Sequence, residues 1–247
     1  MNRQDSKWKS KELSQVFLEG VRGAIPGATL QLEVLSKIVS IWCPMPSKIL
    51  DLGCGDGVLG RALLAEYTSV HVVFADFSDP MIEATRKQVG GSQRATIIKA
   101  DFSTKDWMKA VQIDKPFDVI VSGLAIHHVS DSRKKELYGE IYGLLSEGGI
   151  LLNLDRVASA TPAGTAIFHR FFVDHLVRFH KEKTREEVEK NYYQRLDKEE
   201  DILTLVDTQC QWLRDIGFQD VDCFFKIFDV ALFGGRKTSN EQVFLTG

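Results

Sequence analysis

The 247-residue chain predicts an α/β fold, a doubly wound sheet of seven strands that is mostly parallel and ends in an antiparallel hairpin. Two observations carry this. Three aspartates, Asp51, Asp76 and Asp101, stand evenly spaced, each closing a short apolar run: Lys48-Ile49-Leu50, Val70 to Ala75, and Ala95 to Ala100. Runs this short and apolar suit parallel strands buried on both faces, and each is followed by a stretch with helical periodicity. Right-handed crossovers place the C-terminal ends of such strands along one sheet edge. The three carboxylates therefore meet at one crevice, where open α/β sheets bind ligands. The second observation is a pair of late apolar runs, Val221 to Phe225 and Val230 to Phe233, whose short link contains Asp229, as in a hairpin at a sheet edge.

Taken in order, residues 1–11 are polar and basic and predict a frayed terminus. Leu13, Phe17 and Val21, then Leu30, Val34, Leu35, Ile38 and Val39, follow helical spacing, with Ile25-Pro26-Gly27 breaking two helices apart. The sheet begins at Lys48, and after Asp51 the turn Gly53-Cys54-Gly55-Asp56-Gly57 leads into a helix. Pro80 suits the first turn of the next helix, which continues through Met81, Ala84 and Thr85. The fourth strand is Phe117 to Ser122, and Ser132 is the expected cap of a helix running to Leu145. Gly148-Gly149 end that helix before a fifth strand, Ile150 to Leu154. After Asp155 the alternation stops. Residues 161–197 are helical in pattern and rich in aromatics and histidine, an insertion placed to cover the ligand edge as a lid. A closing helix starts near Lys198 and ends at Ile216, with Gly217 as its cap. The expectation is one domain over 1–247: N-terminal helices 1–43, a ligand-binding core 44–155, a helical cap 156–197, and the closing helix with the hairpin 198–247.

Composition narrows the function. A chain 44% hydrophobic can bury a sizeable core, and the net charge of −3 offers no basic footprint, which argues against a nucleic-acid substrate. Cys43, Cys54, Cys210 and Cys223 lack CxxC spacing and read as free thiols of a reducing, cytoplasmic setting. His169, His175 and His180 miss the i, i+4 spacing of a helical metal pair, so no metal site is expected. The N-terminus does not read as a signal peptide, and no apolar run reaches the ~20 residues needed to span a bilayer.

The crevice chemistry selects a ligand. A pyrophosphate bound at a GxGxxG turn is repelled by nearby carboxylates, whereas here the turn is GxGxG, preceded by Asp51 and interrupted by Asp56. Acids on both sides suit a ligand bearing an amino group and a sulfonium, and S-adenosylmethionine carries both. Asp76 can accept from both ribose hydroxyls, Asp101 from the adenine amine, and Phe77 and Phe102 can supply aromatic faces to the purine.

The blocks ILDLGCGDGVLG (49–60), VVFADFSDPMIEAT (72–85), IIKADF (97–102), FDVIVSGLAIHHV (117–129) and LLSEGGILLNLD (144–155) resemble, in order and spacing, the class I S-adenosylmethionine-dependent methyltransferases. That resemblance implies a Rossmann-like fold. Within the class the chain is similar to an uncharacterised bacterial and archaeal branch often compared with the tRNA wobble-uridine methyltransferases. It implies that Gly53, Cys54, Gly55 and Gly57 lie against the donor, with Met81 beside them. It also implies that Ser122, Leu124 and His127 line the donor's rear face, and that the product is S-adenosylhomocysteine. His127 and His128 are candidates for a general base, while Arg22, Asp155, Arg156, His169 and Tyr192 are candidates for the acceptor pocket. The expected activity is methyl transfer to a small molecule, at oxygen, nitrogen, carbon or sulfur. The alternatives are a tRNA wobble-uridine-type modification enzyme and a noncatalytic cofactor-binding partner or sensor. The N-terminal helices or the aromatic insertion offer a surface for a homodimer.

Overall fold

The computed structural model describes residues 25–111, 116–194 and 200–238. The expected frayed terminus, the helix at Leu13 to Val21 and the candidate Arg22 lie outside the described residues. A seven-stranded sheet runs β1 (Lys48–Leu52), β2 (His71–Asp76), β3 (Ala95–Lys99), β4 (Phe117–Gly123), β5 (Leu145–Arg156), β6 (Gln219–Ile227) and β7 (Val230–Arg236) in chain order. Across the sheet the order is β3-β2-β1-β4-β5-β7-β6. The first five strands pair in parallel, and β7 is antiparallel to both β5 and β6. The expected doubly wound sheet with its C-terminal hairpin is therefore the fold.

The helices are α1 (Ala28–Trp42), α2 (Val58–Glu66), α3 (Asp79–Val89), α4 (Trp107–Val111), α5 (Asp131–Leu144), α6 (Pro162–Phe179), α7 (Arg185–Tyr193) and α8 (Val206–Ile216). Side chains alternate across each strand, so the sheet splits the core in two. Ile49, Val72, Phe74, Val119, Val121, Ile150 and Leu152 face Leu35 and Val39 of α1 and Leu59 and Leu63 of α2. Leu50, Leu52, Val73, Ala75, Ile120 and Leu151 face Leu137, Tyr138 and Ile141 of α5 and Cys210 and Leu213 of α8. Burying each large aliphatic or aromatic side chain of this kind stabilises the fold by about 1.5–3 kcal/mol. A third, smaller cluster of Val173, Val188 and Tyr192 joins α6 to α7. No helix among the described residues is long and apolar enough to cross a membrane.

Several boundaries differ from the sequence expectation, four of them near the site or its supporting helices. Asp51 lies inside β1, and its alternation points it toward α2. The cap of α5 is Ser130, whose hydroxyl accepts from the Arg133 N–H, and Ser132 sits within the first turn with its own hydroxyl on Ser130. β5 begins at Leu145, directly after α5, because Phe117 pairs with Leu145 and the register then shifts to join Val119 to Ile150. The closing helix starts at Val206, and Gly217 ends it as expected, in the left-handed conformation.

Candidate active site

The sheet reverses its winding between β1 and β4, and the glycine turn follows β1 at that switch point. Two glycines there are required for different reasons. At Gly53, φ is 67°, and an added Cβ would lie 2.5 Å from the Ala125 Cβ and 3.0 Å from the Phe102 ring. Only glycine lets the turn pack so closely on the loop after β4. At Gly55, φ is 58°, and an added Cβ would meet nothing within 4 Å, so the backbone borders open space. Leu124 also has positive φ, 54°, a conformation that costs a non-glycine residue about 1–3 kcal/mol. Its N–H donates to the Leu154 carbonyl, which ties the ends of β4 and β5 together.

Each acidic residue has a distinct environment. Asp51 is buried, and its Oδ2 accepts the Gly60 N–H at 2.8 Å, so it holds the start of α2. Asp76 ends β2, with Oδ2 on the Gly55 N–H at 2.9 Å and Oδ1 on the Ser78 N–H at 2.8 Å. Asp101 is half-buried, just beyond β3, and accepts the Ser103 N–H at 2.9 Å. Asp56 forms an ion pair with Arg61 at 3.3 Å. Of the two expected aromatic faces, Phe77 is half-buried, whereas Phe102 is 2% exposed and packs beneath Gly53 in the core. Cys54, in the glycine turn, and Met81, near the start of α3, are both buried, and the Cys54 Sγ lies 3.7 Å from the Thr85 hydroxyl. Burial, with Asp76 and Asp51 nearby, pushes the Cys54 thiol well above its ordinary pKa of 9.0, which makes it a packing group and not a nucleophile. Ser122 donates to the Leu52 carbonyl at 2.7 Å and locks β4 to β1.

Beyond β4 and β5 lies a charged network. His127 sits in a 3-10 turn, Ile126–His128, and its Nδ1 is 2.5 Å from the Asp155 Oδ1. Its backbone N–H donates to the other Asp155 oxygen at 2.8 Å, and its Nε2 faces the Asp201 Oδ1 at 3.5 Å. Burial alone would pull the imidazole below its ordinary pKa of 6.5, but Asp155 and Asp201 outweigh it and leave the pKa raised. Arg156 bonds Asp201 on one side and Asp229, at 2.9 Å, on the other.

Arg156 and Asp229 also line a cavity of about 200 Å³ together with Val157, Ser159, Phe168 and His169, between the end of β5 and α6. The aromatic insertion thus covers the end of β5, and Phe171 stacks on Phe228 of the hairpin turn at 3.9 Å.

The structure brings Arg156 and His169 together in this cavity. Asp155 lies beneath His127, and Tyr192 packs within the cap, its ring stacked on Phe172 at 5.4 Å. The sequence reading did not find Asp201 and Asp229 as members of the network. Asp229 was visible only as a turn residue, and nothing local marks Asp201.

Parallel strands in the order 3-2-1-4-5 followed by an antiparallel 7-6 pair, with a glycine turn at the switch point, define the Rossmann-like fold of the methyltransferases. Residues 49–149 match the protein family described as a methyltransferase domain. That match and this fold support a methyltransferase of the class I, S-adenosylmethionine-dependent type, with S-adenosylmethionine as cofactor.

The chain is 26% identical over 153 residues to a carboxy-S-adenosyl-L-methionine synthase of Idiomarina loihiensis, covering 60% of each chain. It is 32% identical over 108 residues to a demethylmenaquinone methyltransferase of Leptospira interrogans, covering 43% of this chain and 42% of that one. Both matches span less than two thirds of the relative's length. Human N-acetylserotonin methyltransferase in complex with SAM superposes with a TM-score of 0.61 at 14% identity, covering 94% of this chain and 58% of that one.

Proposed function

We propose that this chain transfers the methyl group of S-adenosylmethionine to a small acceptor held beneath the α6–α7 cap. The observation that carries the reading is the Asp76 carboxylate fixed to the Gly55 N–H beside open space at the switch point of the sheet. There Asp76 would hold the ribose and Asp101 the adenine amine. Gly53, Gly55 and Gly57 would bring the backbone against the donor, with Leu124 closing its rear. Phe77 would offer the purine its aromatic face. Phe102 would act from below by supporting Gly53.

Methyl transfer is an in-line displacement. The acceptor's lone pair forms the new bond to carbon, the carbon–sulfur bond breaks, and the electron pair returns to sulfur, leaving S-adenosylhomocysteine. The sulfonium is already activated, so alignment and exclusion of water are the protein's main tasks. His127 faces a carboxylate at each ring nitrogen and is held toward its charged form, which suits a positioning role better than that of a general base. The cavity of about 200 Å³ lies below the roughly 300–1,000 Å³ of typical ligand pockets, which supports a small acceptor.

The test is incorporation of labelled methyl from S-adenosylmethionine into panels of small hydroxyl, amine, thiol and carbon acceptors, beside bulk tRNA. Labelling of a small acceptor supports the reading, and labelling of tRNA alone overturns it. Donor binding without turnover in any panel favours a sensor or partner.

A further inference from the structure

We propose that His127, His128 and Asp201 form a binding site for one first-row divalent transition-metal ion, of which zinc is the probe. Their ligand atoms lie within 4.8 Å of one another. His127 Nε2 is 3.5 Å and His128 Nδ1 3.8 Å from the same Asp201 oxygen. A tetrahedral ion with bonds of about 2.0–2.1 Å holds its ligand atoms about 3.3 Å apart, so closure needs shifts of a few tenths of an ångström for these two pairs. All three side chains are nearly enclosed, at 5%, 7% and 8% exposure.

The surroundings have the form that metal sites require. A ligating histidine donates its other ring N–H to a carboxylate, which fixes the tautomer, and a ligating carboxylate is held at its second oxygen. The His127 Nδ1 lies 2.5 Å from Asp155, itself anchored by the His127 backbone N–H, so Nε2 is the nitrogen turned toward the cluster. The second Asp201 oxygen is held by Arg156, which Asp229 holds in turn. The loop bearing Asp201 is clamped to the histidine turn by the Ile202 N–H on the His127 carbonyl at 2.8 Å. Outer groups thus orient two of the three ligands, and a backbone bond sets the distance between the segments.

Two imidazole nitrogens and one carboxylate oxygen select zinc, cobalt, nickel or iron over magnesium or calcium. Three protein ligands leave a coordination position open, the pattern of catalytic and not structural zinc sites. That position would receive a water or the acceptor's heteroatom. The latter role rests on the methyl-transfer reading, whereas binding of the ion does not.

The experiment uses the full chain, stripped with a chelator, titrated with Zn(II) by calorimetry and with Co(II) by visible absorption. One ion per chain is expected, with ligand-field bands of a nitrogen- and oxygen-ligated Co(II). His128→Ala and Asp201→Asn should each weaken zinc about tenfold or more, with thermal unfolding used to verify that both variants are folded. Asp201→Asn removes a partner of Arg156, so His128→Ala decides if that variant does not fold. Absence of zinc binding would overturn the proposal. So would affinity unchanged in His128→Ala, or thiolate-to-cobalt charge transfer that assigns the ion to the cysteines. S-adenosylmethionine is titrated separately, so loss of donor binding with zinc retained sinks the methyl-transfer reading alone, and the reverse result sinks the metal site alone.

Discussion

Alanine at Gly53 and alanine at Gly55 are expected to fail in different ways, although both glycines have positive φ in one turn. Left-handed backbone costs a residue with a Cβ roughly 1–2 kcal/mol, and both variants carry that strain. At Gly53 the new methyl also lands 2.5 Å from the Ala125 Cβ and 3.0 Å from the Phe102 ring. Both neighbours belong to the hydrophobic core, so relief requires the β4–α5 connection or the Phe102 ring to shift, an overpacking cost of about 1–3 kcal/mol. Gly53→Ala should therefore lose about 2–5 kcal/mol and Gly55→Ala only about 1–2 kcal/mol. At Gly55 the methyl projects into the space assigned to the donor, so that variant should lose more S-adenosylmethionine affinity than its stability change suggests. Urea unfolding followed by circular dichroism, with m-values compared, measures the first quantity, and calorimetry the second. Equal destabilisation of the two variants, or donor affinity untouched in Gly55→Ala, would refute the geometric argument.

His127→Ala removes the imidazole that lies 2.5 Å from buried Asp155 and is expected to cost about 3–5 kcal/mol in urea unfolding, and a loss below about 1 kcal/mol would show that this pairing does not support the fold. Tyr138→Phe removes a hydroxyl that donates to Gln209 at 2.6 Å and accepts from Asn153 at 3.3 Å, so a loss of about 1–3 kcal/mol is expected by the same assay. Asp118 is partly buried, which would raise its pKa, but bonds from Ser47, Lys48 and Ser146 outweigh this and leave it below the ordinary 3.8. A depressed folded pKa contributes stability that is present above 3.8 and lost as pH falls through the folded value. The stability difference between wild type and Asp118→Asn should accordingly be largest near neutral pH and shrink on acidification, and a difference that grows toward acid pH would reverse the assignment.

Much of the fold was legible because parallel strands buried on both faces must be apolar throughout. Ile49-Leu50, Val72 to Ala75 and Val119 to Val121 carry that signature, and the hairpin around Asp229 carries its own. Boundaries were less legible where tertiary contacts decide them. Ser130 and Ser132 flank the same Asp131, and local sequence does not say which hydroxyl reaches the Arg133 N–H. The charged run before Val206 has a helical composition, yet Ile202 donates to His127, and the Thr204 carbonyl accepts from Ala158. Those bonds pin Ile202 and Thr204 to the histidine turn and to the end of β5, and neither partner is near them in sequence.

The site shows the same division. Asp76 and Gly55 lie in ordered motifs that a bond between them joins, but the burial of Phe102 follows from its packing on Gly53, which no periodicity reports. The association of His127 with Asp155 and Asp201 joins three distant segments, and only the folded chain displays it.

Calorimetric titration of the full chain with S-adenosylmethionine and S-adenosylhomocysteine, beside NAD and beside Asp76→Ala, tests the central claim most directly. Micromolar binding of the two sulfur ligands, none of NAD, and at least about a tenfold loss in Asp76→Ala, measured at a temperature where unfolding curves show that variant fully folded, is the predicted result, since tenfold corresponds to about 1.4 kcal/mol, within the range of one charge-assisted hydrogen bond. Binding of NAD alone, or Asp76→Ala binding the donor as wild type does, would contradict the assignment of this crevice to S-adenosylmethionine.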